Sequence, residues 1–504
     1  MKFNQNLLAD LFQSNMVLPV NMDFKIGGEI KANQEVNITF NKKRYQTVSN
    51  NTGEWQITLP AINNTDTIAE ITVNVKGDCQ QISNIHFGMV YLLSGQSNIE
   101  FRLKDEANYS QVLKDLKSNK YDELYYYNVP QIDYIDPIND QVKPSDLQFE
   151  TWHKINAKNC GMVSAIGFYM MKAMRKEGLT CPIAVVDCYK GGTSASSWVK
   201  TEDLANDPDL NKSFLEKYNH EIANKTFIDF NRETAVYNEK VNQHKIDLKK
   251  YLREHPRASL STAKNKVGHT PWPPPARPDL FTRPGGLYET MVKQVRYGVF
   301  NGMVWYQGEN DTDNAAEYGK LLPILIKTWR KELQDPSLPI KLIQLPGYAD
   351  YPENAAAVIR QTQLDVAANT PGVDLVSFID GGEEHNIHPE NKKIMGKRLG
   401  KILVGNDYAG TPYVDQIKFN NGKLILTIAR CLELKLIRKA VLQVTILDKK
   451  YDILLVNNHL AKNEIIVSLN QKPTMISYAY TNFTKDLGLY NELNYPVSPF
   501  RIEL

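Results

Sequence analysis

Gly88-Met89-Val90-Tyr91-Leu92-Leu93-Ser94-Gly95-Gln96-Ser97-Asn98 decides how this chain is read. Met89 to Leu93 is short, apolar and bounded by glycines, the pattern of a buried strand. Gly95 permits a sharp turn, which would present Ser97 at the carboxyl end of that strand, where open α/β sheets place their chemistry. A serine hydroxyl becomes a nucleophile when such a turn meets a base and backbone donors. Alone, a Gly-x-Ser reads as a polar loop.

Two further segments build a constellation around it. Gly302 to Tyr306 is a second short apolar strand, ending in Gln307-Gly308-Glu309-Asn310-Asp311. Leu375 to Ile379 is a third, running into Asp380-Gly381-Gly382 and then Glu384-His385-Asn386-Ile387-His388-Pro389. A nucleophile, an amide donor and a histidine, each just past an apolar strand, are the parts an acyl-transfer site needs.

The runs Gly95-Gln96-Ser97-Asn98, Gly191-Gly192-Thr193, Trp305-Tyr306-Gln307-Gly308-Glu309 and Ile387-His388-Pro389 resemble the four blocks of the SGNH (GDSL-like) hydrolase superfamily, and most closely its sialate O-acetylesterase family. Similarity extends to Asn15-Met16-Val17-Leu18, Gly286-Leu287-Tyr288 and Ser498-Pro499-Phe500-Arg501. The resemblance implies a carboxylic ester hydrolase that removes O-acetyl groups from a carbohydrate, sialic acid first, through an acetyl-enzyme on Ser97. Acetylxylan or another polysaccharide is the alternative substrate. A carbohydrate-binding protein that kept the fold and lost the chemistry is the alternative of another class.

On that reading His388 is the base, because a neutral imidazole can take the serine proton and return it to the departing sugar oxygen. The oxyanion donors are the Ser97 amide, Gly191 or Gly192, and the side chain of Gln307 or Asn310. The superfamily places an asparagine two residues after a glycine, which Asn310 fits, while Gln307 lies nearer the strand end. Glu309 would orient the donor or cap the following helix. Trp198, Trp305 and Tyr306 are candidate substrate-stacking rings, with core packing an equal alternative for Trp305 and Tyr306. A sialate carboxylate would call for an arginine, with Arg102, Arg283 and Arg360 as candidates. Many relatives carry an aspartate two or three residues before the histidine, where this chain has Asn386 and His385. A Ser97–His388 dyad, an orienting carboxylate from Glu384 or Glu383, and a weakened enzyme are the three outcomes left open.

Residues 1–85 alternate apolar and polar with β-branched residues, as in Val36-Asn37-Ile38-Thr39-Phe40, and predict a β-sandwich-like domain. Residues 86–405 alternate strands with helical stretches, such as Val163 to Glu177, and predict a parallel sheet sandwiched by helices: the α/β fold the resemblance also implies. Within them lies a charged helical insertion, about 201–270, which reads as a solvated surface helix; the prolines from Pro271 to Pro278 follow as a stiff connector. Residues 406–504 are β-rich again.

The net charge of +2 gives no reason to expect nucleic acid, and no stretch approaches the roughly 20 apolar residues a bilayer span requires. The 5 cysteines are scattered without a Cys-x-x-Cys pair, which argues for reduced thiols and against structural zinc. His385 and His388 form a lone His-x-x-His with no nearby ligand cluster, so neither metal nor cofactor is expected. Met1-Lys2-Phe3-Asn4-Gln5-Asn6 does not read as a secretory leader, and the expected location is the cytoplasm.

Overall fold

The computed structural model describes residues 6–118, 123–136, 138, 141–144, 151–405 and 410–504. Part of the leader reading (1–5) and the expected boundary at 406 therefore lie outside the described residues. Two compact units emerge. One comprises Met1–Ala223, Ala276–Trp305 and Pro323–Ile340; the other Asn224–Pro275, Tyr306–Leu322 and Lys341–Leu504.

In the first unit an 18-residue strand, Asp78–Gly95, runs straight through position 85 and organises what surrounds it. Its first half pairs antiparallel with Ala69–Val75 and its burial is interrupted, as expected of a sheet with one solvated face. Its second half pairs in parallel with Val17–Pro19 and with Ile183–Tyr189, and Tyr91 to Gly95 are all buried. Gly88 marks the change: a Cβ there would stand 1.9 Å from the Pro182 carbonyl oxygen, so only glycine lets the chains approach. Ile183–Tyr189 pairs on its other side with Leu124–Asn128, which pairs antiparallel with Trp152–Lys154. The sheet is therefore mixed: its central pairs are parallel, as expected, and antiparallel pairs join it at Ala69–Val75 and Trp152–Lys154.

Helix Ala165–Lys176 covers it, capped by Ser164 Oγ, which accepts the Gly167 N–H, and ended at Gly178 with φ +98°. β-rich structure precedes the long strand: Glu35–Phe40 pairs with Lys43–Val48 and Ala69–Val75, and Phe24–Glu29 with Glu54–Leu59.

Strands Ile340–Gln344, in the second unit from Lys341 on, and Val373–Ser377 are neighbours, connected through helix Ala355–Asn369. The helical insertion divides. Its part up to residue 223 belongs to the first unit, whereas helices Phe227–Glu254 and Leu260–Val267 belong here. The long helix starts with a reciprocal Thr226–Asp229 capping box and buries only Phe230 and His244. Toward the carboxyl end, Lys423–Ala429 joins Tyr413–Asn420 and Glu464–Ser468, and Val441–Ile446 joins Lys449–Leu454 and Met475–Tyr478. Alternate residues of these strands, among them Leu424, Leu426, Leu442, Val444, Ile465 and Ile476, form one apolar core.

All five cysteines are free thiols, four of them buried. Among the described residues no helix is long and apolar enough to cross a membrane, and no His/Cys/Asp/Glu cluster could hold a metal ion.

Candidate active site

The strand Asp78–Gly95 ends at Gly95 with φ +132°, a conformation side-chain residues avoid. Gln96 then returns to extended backbone, and Ser97 opens the one-turn helix Ser97–Glu100. From Tyr91 through Ile99, Ser97 alone is not buried. The apolar strand and its turn thus leave Ser97 half-buried just past the strand's carboxyl end, where its sequence places it.

Gly191 and Gly192 follow the parallel neighbour strand, whose Tyr189 is in register with Gly95. A Cβ on Gly191 would lie 3.0 Å from Glu100 Oε2 and 3.3 Å from Ser97 Cβ, so a side chain there would crowd the serine turn. The Gly191 N–H donates to Glu100 Oε2, and Gln131 Nε2 donates to Glu100 Oε1 at 2.9 Å. With the Gly191 amide engaged by a carboxylate, Gly192 at φ +71° carries forward the expectation of a second backbone donor. Trp198 Nε1 donates to Thr193 Oγ1 at 3.0 Å, which donates to Lys190 O at 2.9 Å, stapling the glycine turn.

Three proposed substrate contacts are corrected by burial. Trp198 has no exposed surface and meets Trp305 edge-to-face at 5.8 Å, so it is a core residue. Tyr306 is likewise fully buried, and desolvation raises its phenol well above the ordinary range. Arg102 is buried under a network of its own: its guanidinium donates to Asn128 Oδ1 at 2.8 Å, to Met162 O at 2.6 Å and to Tyr189 Oη. Tyr189 Oη in turn donates to Asp187 Oδ2 at 3.0 Å. Burial lifts the Asp187 carboxyl to about 6 against the opposing pull of Arg102. The other two arginines fare alike. Arg360 is fully buried and donates to the carbonyls of Pro346 and Thr481, and Arg283 donates to those of Asp133 and Leu280.

In the second unit, Gln307 is fully buried. Its Nε2 donates to Asp311 Oδ2, and its Oε1 accepts from Tyr318 Oη at 3.2 Å. Gly308 turns the chain at φ +142°, and Asn310 follows on the 3-10 helix Glu309–Asn314, half-buried. Asn310 Oδ1 accepts the indole N–H of Trp272 at 2.7 Å.

The histidine loop is tied together by Asn386, which is fully buried. Asn386 Oδ1 accepts the His388 N–H at 3.3 Å and Lys264 Nζ at 2.7 Å; its Nδ2 donates to His388 O at 2.9 Å and Glu383 Oε2 at 3.1 Å. Glu383 Oε1 accepts the Glu390 N–H at 3.1 Å, closing the loop. Glu384, expected as an orienting carboxylate, pairs with Lys485 at 3.1 Å, both side chains exposed. His385 Nδ1 meets Asp350 at 3.0 Å, and its N–H donates to Ser261 Oγ at 3.0 Å. Burial, then the ammonium groups of Lys392 and Lys264, push His388 down to about 3, so its imidazole is neutral at any working pH.

Lys264, Ser261 and Trp272 all come from the insertion and its proline-rich exit, which sequence reading treated as solvated surface and connector. Each acts through one polar atom on a distant segment and leaves no periodic signal.

Residues 276–405 match the family model of a carbohydrate esterase, the sialic acid-specific acetylesterase. Mouse sialate O-acetylesterase is 24% identical over 299 residues, 56% of this chain and 48% of that protein. Over that segment the chain is similar to the sialic acid-specific acetylesterases. A probable carbohydrate esterase of Arabidopsis thaliana is 33% identical over 129 residues, 24% of this chain and 48% of its own length. The chain thus spans about half the length of the curated relatives it matches. In fold it is similar to a carbohydrate acetylesterase from Xanthomonas citri, with TM-score 0.72 and 20% identity, covering 98% of this chain and 99% of that one. The segment matched by the family model includes both the Gln307–Asn310 turn and the His388 loop.

Proposed function

We propose that the chain is a serine esterase that removes O-acetyl groups from a carbohydrate, with Ser97 as nucleophile and His388 as base. One observation carries the reading: Ser97 alone is only half-buried in an otherwise buried strand-and-turn, at the position where an α/β sheet presents its chemistry. In this reading Ser97 Oγ attacks the acetyl carbonyl carbon while His388 takes its proton. The tetrahedral oxyanion is received by the amides of Ser97 and Gly192 and by the Asn310 carboxamide. Collapse breaks the ester bond, the sugar oxygen leaves with the proton from His388, and water then releases acetate from Ser97 by the same steps.

Asn310 is preferred to Gln307 as side-chain donor because Asn310 keeps exposed surface, whereas Gln307 is fully buried and donates to Asp311. A His388 held low in pKa is a weak base, but the imidazolium it becomes is a strong acid toward a departing alkoxide. Glu383 is engaged with Asn386 and the Glu390 N–H, and Glu384 with Lys485, which supports the dyad reading.

Sialic acid is the substrate suggested by the family. A neutral acetylated polysaccharide is the second reading, favoured by the commitment of Arg102, Arg283 and Arg360 to protein partners. The test is acetate release from O-acetylated sialic acid, acetylated xylo-oligosaccharides and 4-nitrophenyl acetate, by wild type and Ser97→Ala. Wild type should cleave at least one sugar ester, and Ser97→Ala should lose about 10³-fold or more. A folded wild type inert on all three would support the carbohydrate-binding alternative and overturn the proposal.

A further inference from the structure

Trp272 is 46% exposed, yet the strap that carries it is anchored from several sides. Tyr237 Oη donates to Pro271 O at 2.9 Å, the buried His244 meets Gly268 O through Nε2 at 2.9 Å, and His269 Nε2 meets Asp350 Oδ2 at 2.8 Å. Pro273 and Pro275 stiffen the far side, where they line a groove with Tyr237 and Lys240. An exposed large aromatic on a rigid support is the informative kind of surface residue, because leaving it in water forgoes apolar burial.

The indole N–H is a donor only, so its 2.7 Å bond to Asn310 can end on nothing but the carboxamide oxygen. That fixes the oxygen of the Asn310 amide toward the strap and its nitrogen on the other side of the carboxamide. Asn310 sits on the turn that the proposed function assigns to oxyanion binding, and the inference rests on that assignment.

We propose that Trp272 couples carbohydrate recognition to the oxyanion donor: its N–H positions the Asn310 carboxamide, and its exposed ring face receives a pyranose ring of the acetylated substrate. Sugar C–H faces pack well on an aromatic plane, and an indole carries both that plane and a polar tip. Trp272 is a positioning residue for the chemistry and a contact residue for the sugar.

The two roles separate in kinetics. Trp272→Phe keeps a ring and loses the N–H; Trp272→Ala loses both. Both variants are measured with 4-nitrophenyl acetate and with an O-acetylated pyranoside, alongside Asn310→Ala and Trp272→Phe/Asn310→Ala. Trp272→Phe should lower kcat about tenfold on both esters with KM nearly unchanged, the mark of an interaction realised in the transition state. Trp272→Ala should show the same kcat loss and raise KM severalfold for the pyranoside only. The double variant should be no slower than Asn310→Ala, because the bond has nothing left to position.

If Asn310→Ala is crippled while Trp272→Phe keeps wild-type kcat, the coupling is wrong and the oxyanion assignment stands. If Asn310→Ala itself keeps wild-type kcat, the oxyanion assignment has failed and the positioning role falls with it. Equal KM changes on both esters in Trp272→Ala would overturn the sugar contact.

Discussion

Lys264 Nζ donates to Asn386 Oδ1 across 2.7 Å, linking helix Leu260–Val267 of the insertion to the loop that carries His388. Asn386 holds both the N–H and the carbonyl of His388, so the ammonium braces the residue that braces the base. Its charge also helps to hold the imidazole low. Lys264→Met should therefore lower kcat about tenfold, since small displacements of a catalytic group are costly. It should also move the acid limb of kcat/KM to higher pH. A wild-type rate and profile in this variant would remove the insertion from the account.

The pH profile itself follows from His388. With its pKa near 3 instead of the ordinary 6.5, the base stays unprotonated, so kcat/KM should be flat from neutrality down to about pH 5. Stability runs the other way. Between those two values the unfolded chain binds a proton that the folded chain refuses, so this group weakens the fold as pH falls below about 6.5 and has no effect above it. Initial rates and urea midpoints across that range check both. An inflection in kcat/KM at the ordinary histidine value would contradict the burial argument.

Asn310→Ala should lower kcat by about 10²–10³ with KM nearly unchanged, because an oxyanion exists only in the transition state. Gln307→Ala should act chiefly on stability, since its amide ties Asp311 and Tyr318 inside the fold. Steady-state kinetics and urea unfolding of both variants decide between them. A Gln307→Ala that folds at wild-type stability and loses the larger share of kcat would reverse the assignment.

Arg102→Met should cost about 3–5 kcal/mol of stability, because it strips the guanidinium from buried Asn128, Tyr189 and Asp187. KM for any sugar ester should stay within about twofold in the folded fraction. Urea unfolding and saturation kinetics give both numbers. A normal unfolding midpoint with a raised KM would return Arg102 to the substrate.

What was legible in sequence was local. Gly88 to Ser97 spelled out strand, turn and the serine just past it within ten positions, and Val163 to Glu177 announced its helix by periodicity and a closing glycine. Trp198, Tyr306 and Arg102 were misread because a ring or guanidinium looks the same in sequence whether it faces solvent or core. Their fate depends on partners such as Trp305 and Tyr189, which lie 107 and 87 positions away from Trp198 and Arg102. The long strand was cut at 85 because its composition changes where its pairing changes from antiparallel to parallel.

The central claim is that Ser97 carries the acetyl group during turnover. Rapid acid quench of the protein with 4-nitrophenyl acetate, followed by peptide mass spectrometry, reads this directly. The account predicts one acetyl group on the peptide containing Ser97, which vanishes in Ser97→Ala and persists longer in His388→Ala. Turnover at the wild-type rate by Ser97→Ala, or an acetyl group that maps reproducibly to another residue, would contradict it.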